Sequence, residues 1–435
     1  MDVRFAATGN RKIHLLKNSH EKRVILNSRG EENMNILRMV NPVMPYAWGS
    51  KTFIQELTGD KSGLGQPQAE LWMGAHPGSS SQIQNGDILV NMHYVIADDP
   101  CDFLGPRTAN TFKDQLPFLL KVLAADQPLS VQVHPGKKQA REGFTQENKL
   151  GIPLDAPHRN YRDDNHKPEL LVALTEFHAL CGFRDEQELA TLLHKYLPHF
   201  AMPELDNFRY NPAPDTLKIL YSAILNSDAV VKQTLLDFYL KHVHSLLPAT
   251  PQEQLINEWT VKLNELHPND IGIISPLLMN VVTLKPMEGL FLELGVPHSY
   301  LCGAGIEIMA NSDNVLRGGL TSKHSDKDEL LKALVFATGK SKPVQAEKVS
   351  DTEKAYPTPA EEFALSVITH SKEIQTDISA SGSPEIIFCY EGSFVVENCS
   401  QYLTMEKGQS LFVPYEVEGY AVLGKGTLFR ARVNL

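Results

Sequence analysis

Closely spaced cysteines are missing from this chain. Its five cysteines (Cys101, Cys181, Cys302, Cys389 and Cys399) are odd in number and scattered. That excludes the disulfide framework of a small secreted domain and a structural zinc site built on paired thiolates; a reduced, cytoplasmic protein is the expected setting. No apolar run approaches the roughly 20 residues of a membrane span, so no membrane association is expected. Positive charge is in deficit, with 41 Lys and Arg against 52 Asp and Glu and a net charge of −11. The deficit argues against binding nucleic acid, while a local cluster of cations can still hold a small anion. There is no G-x-S-x-G elbow, no P-loop and no dinucleotide fingerprint. "GVPHSYLCGAG" (295–305) is rich in glycine but lacks the strand–helix setting of a phosphate loop.

With 435 residues, 42 % of them apolar and 21 % charged, the composition is that of a globular protein with material for more than one domain. The stretch "RKIHLLKNSHEKRVILNSRGEEN" (11–33) is basic and polar and has no sustained apolar period. It lacks the apolar core and cleavage site of a secretory signal, and Glu21, Glu31 and Glu32 count against a transit peptide. Residues 1–35 are expected to be a disordered extension, with Met34 a plausible alternative start. From 36 to 184 short apolar runs such as "LPFLLKVLAA", "LSVQVHP" and "ELLVALTEFHAL" alternate with Gly, Pro, Asn and Asp, which predicts short strands joined by loops. From 185 to 270 the period changes to about 3.6. Asp185 and Glu186 open one helix; Thr250, Pro251 and Glu253 mark the start of another. An inserted block of roughly four helices is expected there. Strand grammar returns over 271–330 and 331–435. Two segments in these regions resemble each other: "LFLELGVPHSYL" (290–301) and "LFVPYEVEGYAVL" (411–423). Aligned on Leu-Phe, they set His298 opposite Gly419, as a repeated strand–turn–strand unit would.

Polar chemistry concentrates in a few places. In "PLSVQVHP" (128–135), Val131 and Val133 share one strand face and Ser130, Gln132 and His134 the other. "NYRDDNHKPELLVAL" (160–174) sets Asp163, Asp164, Asn165, His166, Lys167 and Glu169 before an apolar strand. "VPHSYLCGAGIEIMANSDNVLRGGLTSK" (296–323) carries a second dense group. "YAWGS" (46–50) and "AELWMGAHP" (69–77) can line a pocket. Gln132 and His134, two apart on one face, can point at a single ion. Glu169 heads another strand and His298 stands at a strand–turn junction. Two imidazoles, a carboxylate and an amide suit one metal with an open position. Spacing alone does not bring the four together, and a strand histidine taken singly is more often hydrogen-bonded than a ligand.

The long motifs resemble those of type I phosphomannose isomerases. "YRDDNHKPE" (161–169) matches that family's Y-x-D-x-N-H-K-P-E signature throughout, and 298–323 matches its second motif with three departures. Ser299 and Gly318 stand where alanines are usual, and Ser322 stands where a proline precedes Lys323. "SVQVHP" and "NPVMPYAWGS" also fall where the family has them, and the resemblance runs from about 36 to the C-terminus. It implies a mainly β fold of two cupin-type (jelly-roll) barrels, the first interrupted by the inserted α-helical domain and the second, C-terminal one degenerate. It also implies one zinc ion held by Gln132, His134, Glu169 and His298.

The implied reaction interconverts mannose 6-phosphate and fructose 6-phosphate by ring opening and proton transfer between C2 and C1 through a cis-enediolate. Lys167, Glu307, Asp313 and Lys323 are the candidate bases in the matched motifs. Lys167 is expected beside the metal handling protons, and His166 is expected to assist ring opening. Arg317 is expected to stabilise the enediolate or hold substrate, oriented by Asp313. Tyr300 is expected to bond the sugar and Trp48 to form pocket wall. Ser130, Lys121 and Arg317 are candidates for the phosphate, Lys323 for a further substrate contact. Taken alone, Lys121 reads equally as a structural lysine and Asp313 as a turn cap. A monomer acting on a small sugar phosphate is expected. Two rivals remain from the residues: an iron cupin dioxygenase, which would carry a ligand set richer in histidine, and a non-enzymatic sugar-phosphate sensor, which would not need Lys167, Glu307, Asp313 and Arg317 together.

Overall fold

In the computed structural model the structure describes residues 35–435; the expected N-terminal extension lies, except for its last residue, outside the described residues. The architecture is mainly β, with twelve α-helices among the described residues. None of these helices is long and apolar enough to cross a membrane. Strand Phe118–Ala125 forms from "LPFLLKVLAA" and is buried along its whole length. "ELLVALTEFHAL" is two strands rather than one, Glu169–Ala173 and Phe177–Phe183, because Leu174–Glu176 breaks the run.

Strand His298–Ala310 is the spine of one sheet. It pairs antiparallel with Phe118–Ala125 on one side. On the other side it pairs with Glu169–Ala173 over its C-terminal half and with Phe177–Phe183 over its N-terminal half. Its first residue, His298, also faces Gln132 of the short strand Val131–Val133. Between Tyr300 and Cys302 the register slips by a bulge. Because side chains alternate faces with period two, one extra residue reverses parity. His298, Tyr300 and Glu307 therefore share a face that a regular strand would not give them. Gly303, just past the bulge, has φ +121°, and a Cβ there would meet the Phe177 backbone and ring, so only glycine suits the position.

The helices leave this sheet from Phe177–Phe183 and return as Met279–Leu284, which pairs antiparallel with the strand they left. Five longer α-helices lie between, Glu186–Tyr196, Pro203–Tyr210, Pro214–Asn226, Ala229–Ser245 and Pro251–Leu266, followed by the four-residue Ser275–Leu278. The eight-residue second one is too short to show a period. Asp185 caps the first, accepting from the N–H groups of Gln187 and Glu188, and Thr250 caps the last. Val131 and Val133 pack in one apolar cluster with helix residues such as Leu189, Leu220, Leu236 and Leu263. The helices thus cover the outer side of the strand whose other face carries Gln132.

A second sheet holds the C-terminal strands Ala364–Ser379, Glu385–Glu397, Ser410–Val413 and Gly419–Arg432. It also recruits Leu37–Val40, Gln82–Asn85 and Ile88–Asn91 from the N-terminal part of the chain. Leu120, Val122, Ile306 and Ile308 of the first sheet share a core with Phe363, Phe388, Phe412 and Phe429, so the two sheets are packed together. Both halves of the sequence repeat fold alike. Gly289–Leu292 precedes His298–Ala310, Ser410–Val413 precedes Gly419–Arg432, and His298 and Gly419 each begin the long strand.

The N-terminal region contains helices where strands and loops are expected. The longest is the 13-residue Lys137–Lys149. Its sequence shows no apolar stripe because polar groups anchor it: the Glu147 carboxylate accepts the backbone N–H groups of Asn160 (3.0 Å) and Tyr161 (2.8 Å). Gly143 sits mid-helix, where glycine is intrinsically poor, and a Cβ there would overlap the Tyr161 ring. That ring is held by its hydroxyl to Glu329 (2.5 Å) and Gln139 (2.9 Å). Gly143→Ala should therefore destabilise the protein by about 1–3 kcal/mol through overpacking instead of stabilising it by roughly 0.5–1 kcal/mol through helix propensity. Urea unfolding gives the sign; a rise in stability would show that Tyr161 is free to move.

Candidate metal centre and active site

His134 follows strand Val131–Val133, Glu169 begins its strand and His298 begins the spine, so three chain segments deliver one buried cluster. Their ligand-type atoms all lie within 4.8 Å of one another. His134 Nε2 is 3.3 Å and His298 Nε2 3.7 Å from opposite oxygens of Glu169, and the two rings are 4.9 Å apart. His134 Nδ1 lies 2.8 Å from the Asn314 carbonyl oxygen and His298 Nδ1 lies 3.0 Å from that of Val296. A carbonyl only accepts, so each Nδ1 carries a hydrogen and each Nε2 is the nitrogen turned toward Glu169. His134 Nε2 is buried without a hydrogen-bond partner, a costly state unless something else binds it. Gln132, half-buried, stands directly across the ladder from both His298 and Arg317, within reach of the same space.

Lys167 Nζ is 3.1 Å from Glu169 Oε1. Burial raises the proton affinity of Glu169, but Lys167 and then His134 outweigh it and hold the carboxyl well below its usual range. Burial and the adjacent His134 push the His298 imidazole down to about 4. An unfolded histidine takes up its proton near pH 6.5, whereas the folded one refuses it until about pH 4. The unfolded state thus binds more protons across that window, and stability falls as pH falls through it. For the metal-free protein, His298 should contribute on the order of 3 kcal/mol of acid destabilisation between those limits. Urea midpoints measured against pH, with and without His298→Asn, test this; the same slope in both would contradict it.

Family comparison supplies the context. Residues 36–186 match the family model described as phosphomannose isomerase type I, catalytic domain, and residues 352–433 match that of the mannose-6-phosphate isomerase cupin domain. The mannose-6-phosphate isomerase of Escherichia coli K12 is 42 % identical over 398 residues, covering 90 % of this chain and 98 % of that protein. The chain belongs to the type I phosphomannose isomerase family. The human mannose-6-phosphate isomerase is 35 % identical over 320 residues, 69 % of this chain and 73 % of its own length. A crystal structure of mannose 6-phosphate isomerase with zinc bound superposes with a TM-score of 0.84 at 39 % identity, covering 92 % of this chain and all of that one. The dioxygenase and sensor readings gain nothing from these comparisons.

Further polar groups of this phosphomannose isomerase family member surround the cluster. Lys121 and Glu307 are direct cross-strand partners, with Nζ 3.0 Å from Glu307 Oε2. Glu70, on the next strand, lies 3.5 Å from the same ammonium and accepts the Trp72 indole N–H at 2.7 Å. The Tyr300 hydroxyl donates to Glu307 Oε1 at 2.8 Å. Burial alone would lower the Lys121 pKa; Glu307 and Glu70 reverse that and raise it. Burial raises Glu307 and pushes the Tyr300 phenol far up. Glu70 escaped the sequence reading, although it lies inside "AELWMGAHP".

Asn314 ties the two long motifs together. Its amide donates to Asp163 and Asn165 and its carbonyl accepts the Arg162 N–H at 2.7 Å. Asp313 is an exposed residue whose backbone N–H binds Asp163 and whose carboxylate lies 3.6 Å from His76. Arg317 and Lys323 are both lowered, first by burial and then by neighbouring cations: Arg162 acts on Arg317, and Arg317 and Arg162 act on Lys323. None of these three cations has a carboxylate partner among the described residues. Ser130 is half-buried beside Leu129, whose carbonyl accepts the Ser299 hydroxyl at 2.7 Å. Trp48 packs partly buried against the cluster containing Tyr300. Gly318 leaves room for the Tyr221 hydroxyl, which a Cβ would approach to 3.2 Å. His166, partly buried, pairs through Nε2 with Glu362 at 2.6 Å.

Proposed function

We propose that this chain interconverts D-mannose 6-phosphate and D-fructose 6-phosphate with one zinc ion, held by Gln132, His134, Glu169 and His298. The observation that carries the metal assignment is the buried His134 Nε2, without a hydrogen-bond partner, converging with His298 Nε2 on Glu169. Nitrogen and oxygen donors without thiolate suit a catalytic zinc, which when bound would polarise a sugar oxygen as a Lewis acid.

Lys167 is placed to move the proton between C2 and C1. Arg317, across the ladder from Gln132, lies where negative charge on the enediolate would develop. Arg162 and Lys323 add to it, and the three uncompensated cations with the Ser130 hydroxyl form the proposed phosphate site. Lys121, weighed for the phosphate on sequence grounds, already serves Glu70 and Glu307. Its proposed role is to keep the Glu307–Tyr300 pair ordered against the sugar. Asp313 orients Arg317, Trp48 walls the pocket, and His166 handles the ring-opening proton. The same reading makes the β regions two cupin-type jelly-roll barrels, 36–184 with 271–330 and then 331–435, with the helices of 185–270 inserted in the first. It carries with it a cytoplasmic monomer, a setting that five free cysteines suit.

Lys167→Met tests the proton-transfer role. It should keep one zinc per chain and lower the isomerisation rate about 10²–10⁴-fold, the usual scale of general acid–base catalysis. A zinc-loaded variant within a few-fold of the parent would remove Lys167 from that role.

A further inference from the structure

Glu362 belongs to the C-terminal part of the chain, inside the stretch matching the cupin-domain model, yet it reaches the motif that carries Glu169. His166 Nε2 lies 2.6 Å from Glu362 Oε1. The carboxylate is 5 % exposed, which would be costly without a partner. The segment presenting it is pinned on several sides. The Tyr356 hydroxyl donates to the Met287 carbonyl at 2.9 Å. Asn434 binds the carbonyls of Ala360 (2.8 Å) and Glu361 (3.1 Å). Phe363 is buried in the core between the two sheets. A fixed carboxylate here does more than fill space.

Burial pushes the Glu362 carboxyl up, but the His166 hydrogen bond outweighs it and brings it below its ordinary value. Ionised, it can only accept, so His166 Nε2 bears a hydrogen, and the neutral form of that ring has its bare nitrogen at Nδ1. A carboxylate that fixes the tautomer of a catalytic imidazole is a known device. We propose that Glu362 is a positioning residue supplied by the C-terminal sheet, holding His166 as the Nε2–H tautomer so that Nδ1 exchanges the proton during ring opening. In that step the O1–H bond breaks as the C1=O bond forms, the C1–O5 bond breaks, and O5 gains a proton. One bare imidazole nitrogen can take the first proton and return it to O5. The inference rests on the reading of His166 as the ring-opening group. It gives the degenerate C-terminal half a part in the active site.

The test uses zinc-loaded full-length protein. Glu362→Gln preserves shape but lets the amide donate to Nε2, allowing the wrong tautomer. It should lower kcat about 10–100-fold, the scale for residues that orient an active group. KM, zinc content and thermal midpoint should stay as in the parent. His166→Asn should be slow, and the double variant no slower than His166→Asn alone. A full-rate Glu362→Gln beside a slow His166→Asn would overturn this inference and spare the reading of His166. Full rates in both would overturn the two together, and a fully additive double variant would overturn the coupling. If Glu362→Gln fails to fold, nitrogen-15 spectra of the parent decide: a His166 resonance with hydrogen on Nε2 supports the assignment, and hydrogen on Nδ1 overturns it.

Discussion

Glu169→Ala should lose stoichiometric zinc and at least about 10³-fold in isomerisation, since a metal acting as a Lewis acid supplies several kcal/mol of transition-state stabilisation. The argument is geometric. Among the described residues Glu169 alone lies within 4 Å of His134, His298 and Lys167 at once. Its loss removes an oxygen donor and leaves the Lys167 ammonium, with 11 % of its side chain exposed, without its anionic partner. Breaking a buried pair from one side typically costs about 3–5 kcal/mol, so the metal-free variant should also unfold at lower urea than the metal-free parent. Zinc content, turnover and urea midpoint measured on one preparation separate the two effects. A variant with one zinc per chain and parental turnover would remove Glu169 from the centre.

The second large effect is expected at Lys121, which is buried. Lys121→Met should cost about 3–5 kcal/mol, because the ammonium lies between Glu70 and Glu307 and its removal leaves both buried carboxylates without that partner. Adding Glu307→Gln should recover part of that loss, since groups sharing one ion network are coupled and not additive. Urea unfolding of the two single variants and the double variant measures the coupling. A Lys121→Met protein within about 0.5 kcal/mol of the parent, the range of ordinary surface substitutions, would show that Glu307 simply takes up a proton and the network carries no structural weight.

Which parts of this could be read from the sequence follows from the range of each interaction. The inward face of "SVQVHP" was legible because strand alternation is local, and Val131 and Val133 do pack outward on the helices. The caps at Asp185 and Thr250 were legible for the same reason. Glu70 was not, since it lies 51 positions from Lys121 and only the pairing of strands Glu70–Met73 and Phe118–Ala125 brings them together. Glu362, 196 residues from His166, was hidden in the same way. The common face of Tyr300 and Glu307 depends on a bulge that no hydrophobic pattern announces. Helix Lys137–Lys149 was missed because it is anchored through Glu147 and not through an apolar stripe. Nothing in "LPFLLKVL" reveals that Lys121 is flanked by two carboxylates, since both arrive from other strands.

The most direct test of the whole account is the isomerisation of mannose 6-phosphate to fructose 6-phosphate by the purified chain as isolated, after chelation, and after zinc is restored. The account predicts activity that disappears with the metal and returns with it, at one zinc per chain. A folded, zinc-loaded chain without isomerisation, or turnover that survives complete removal of metal, would contradict it.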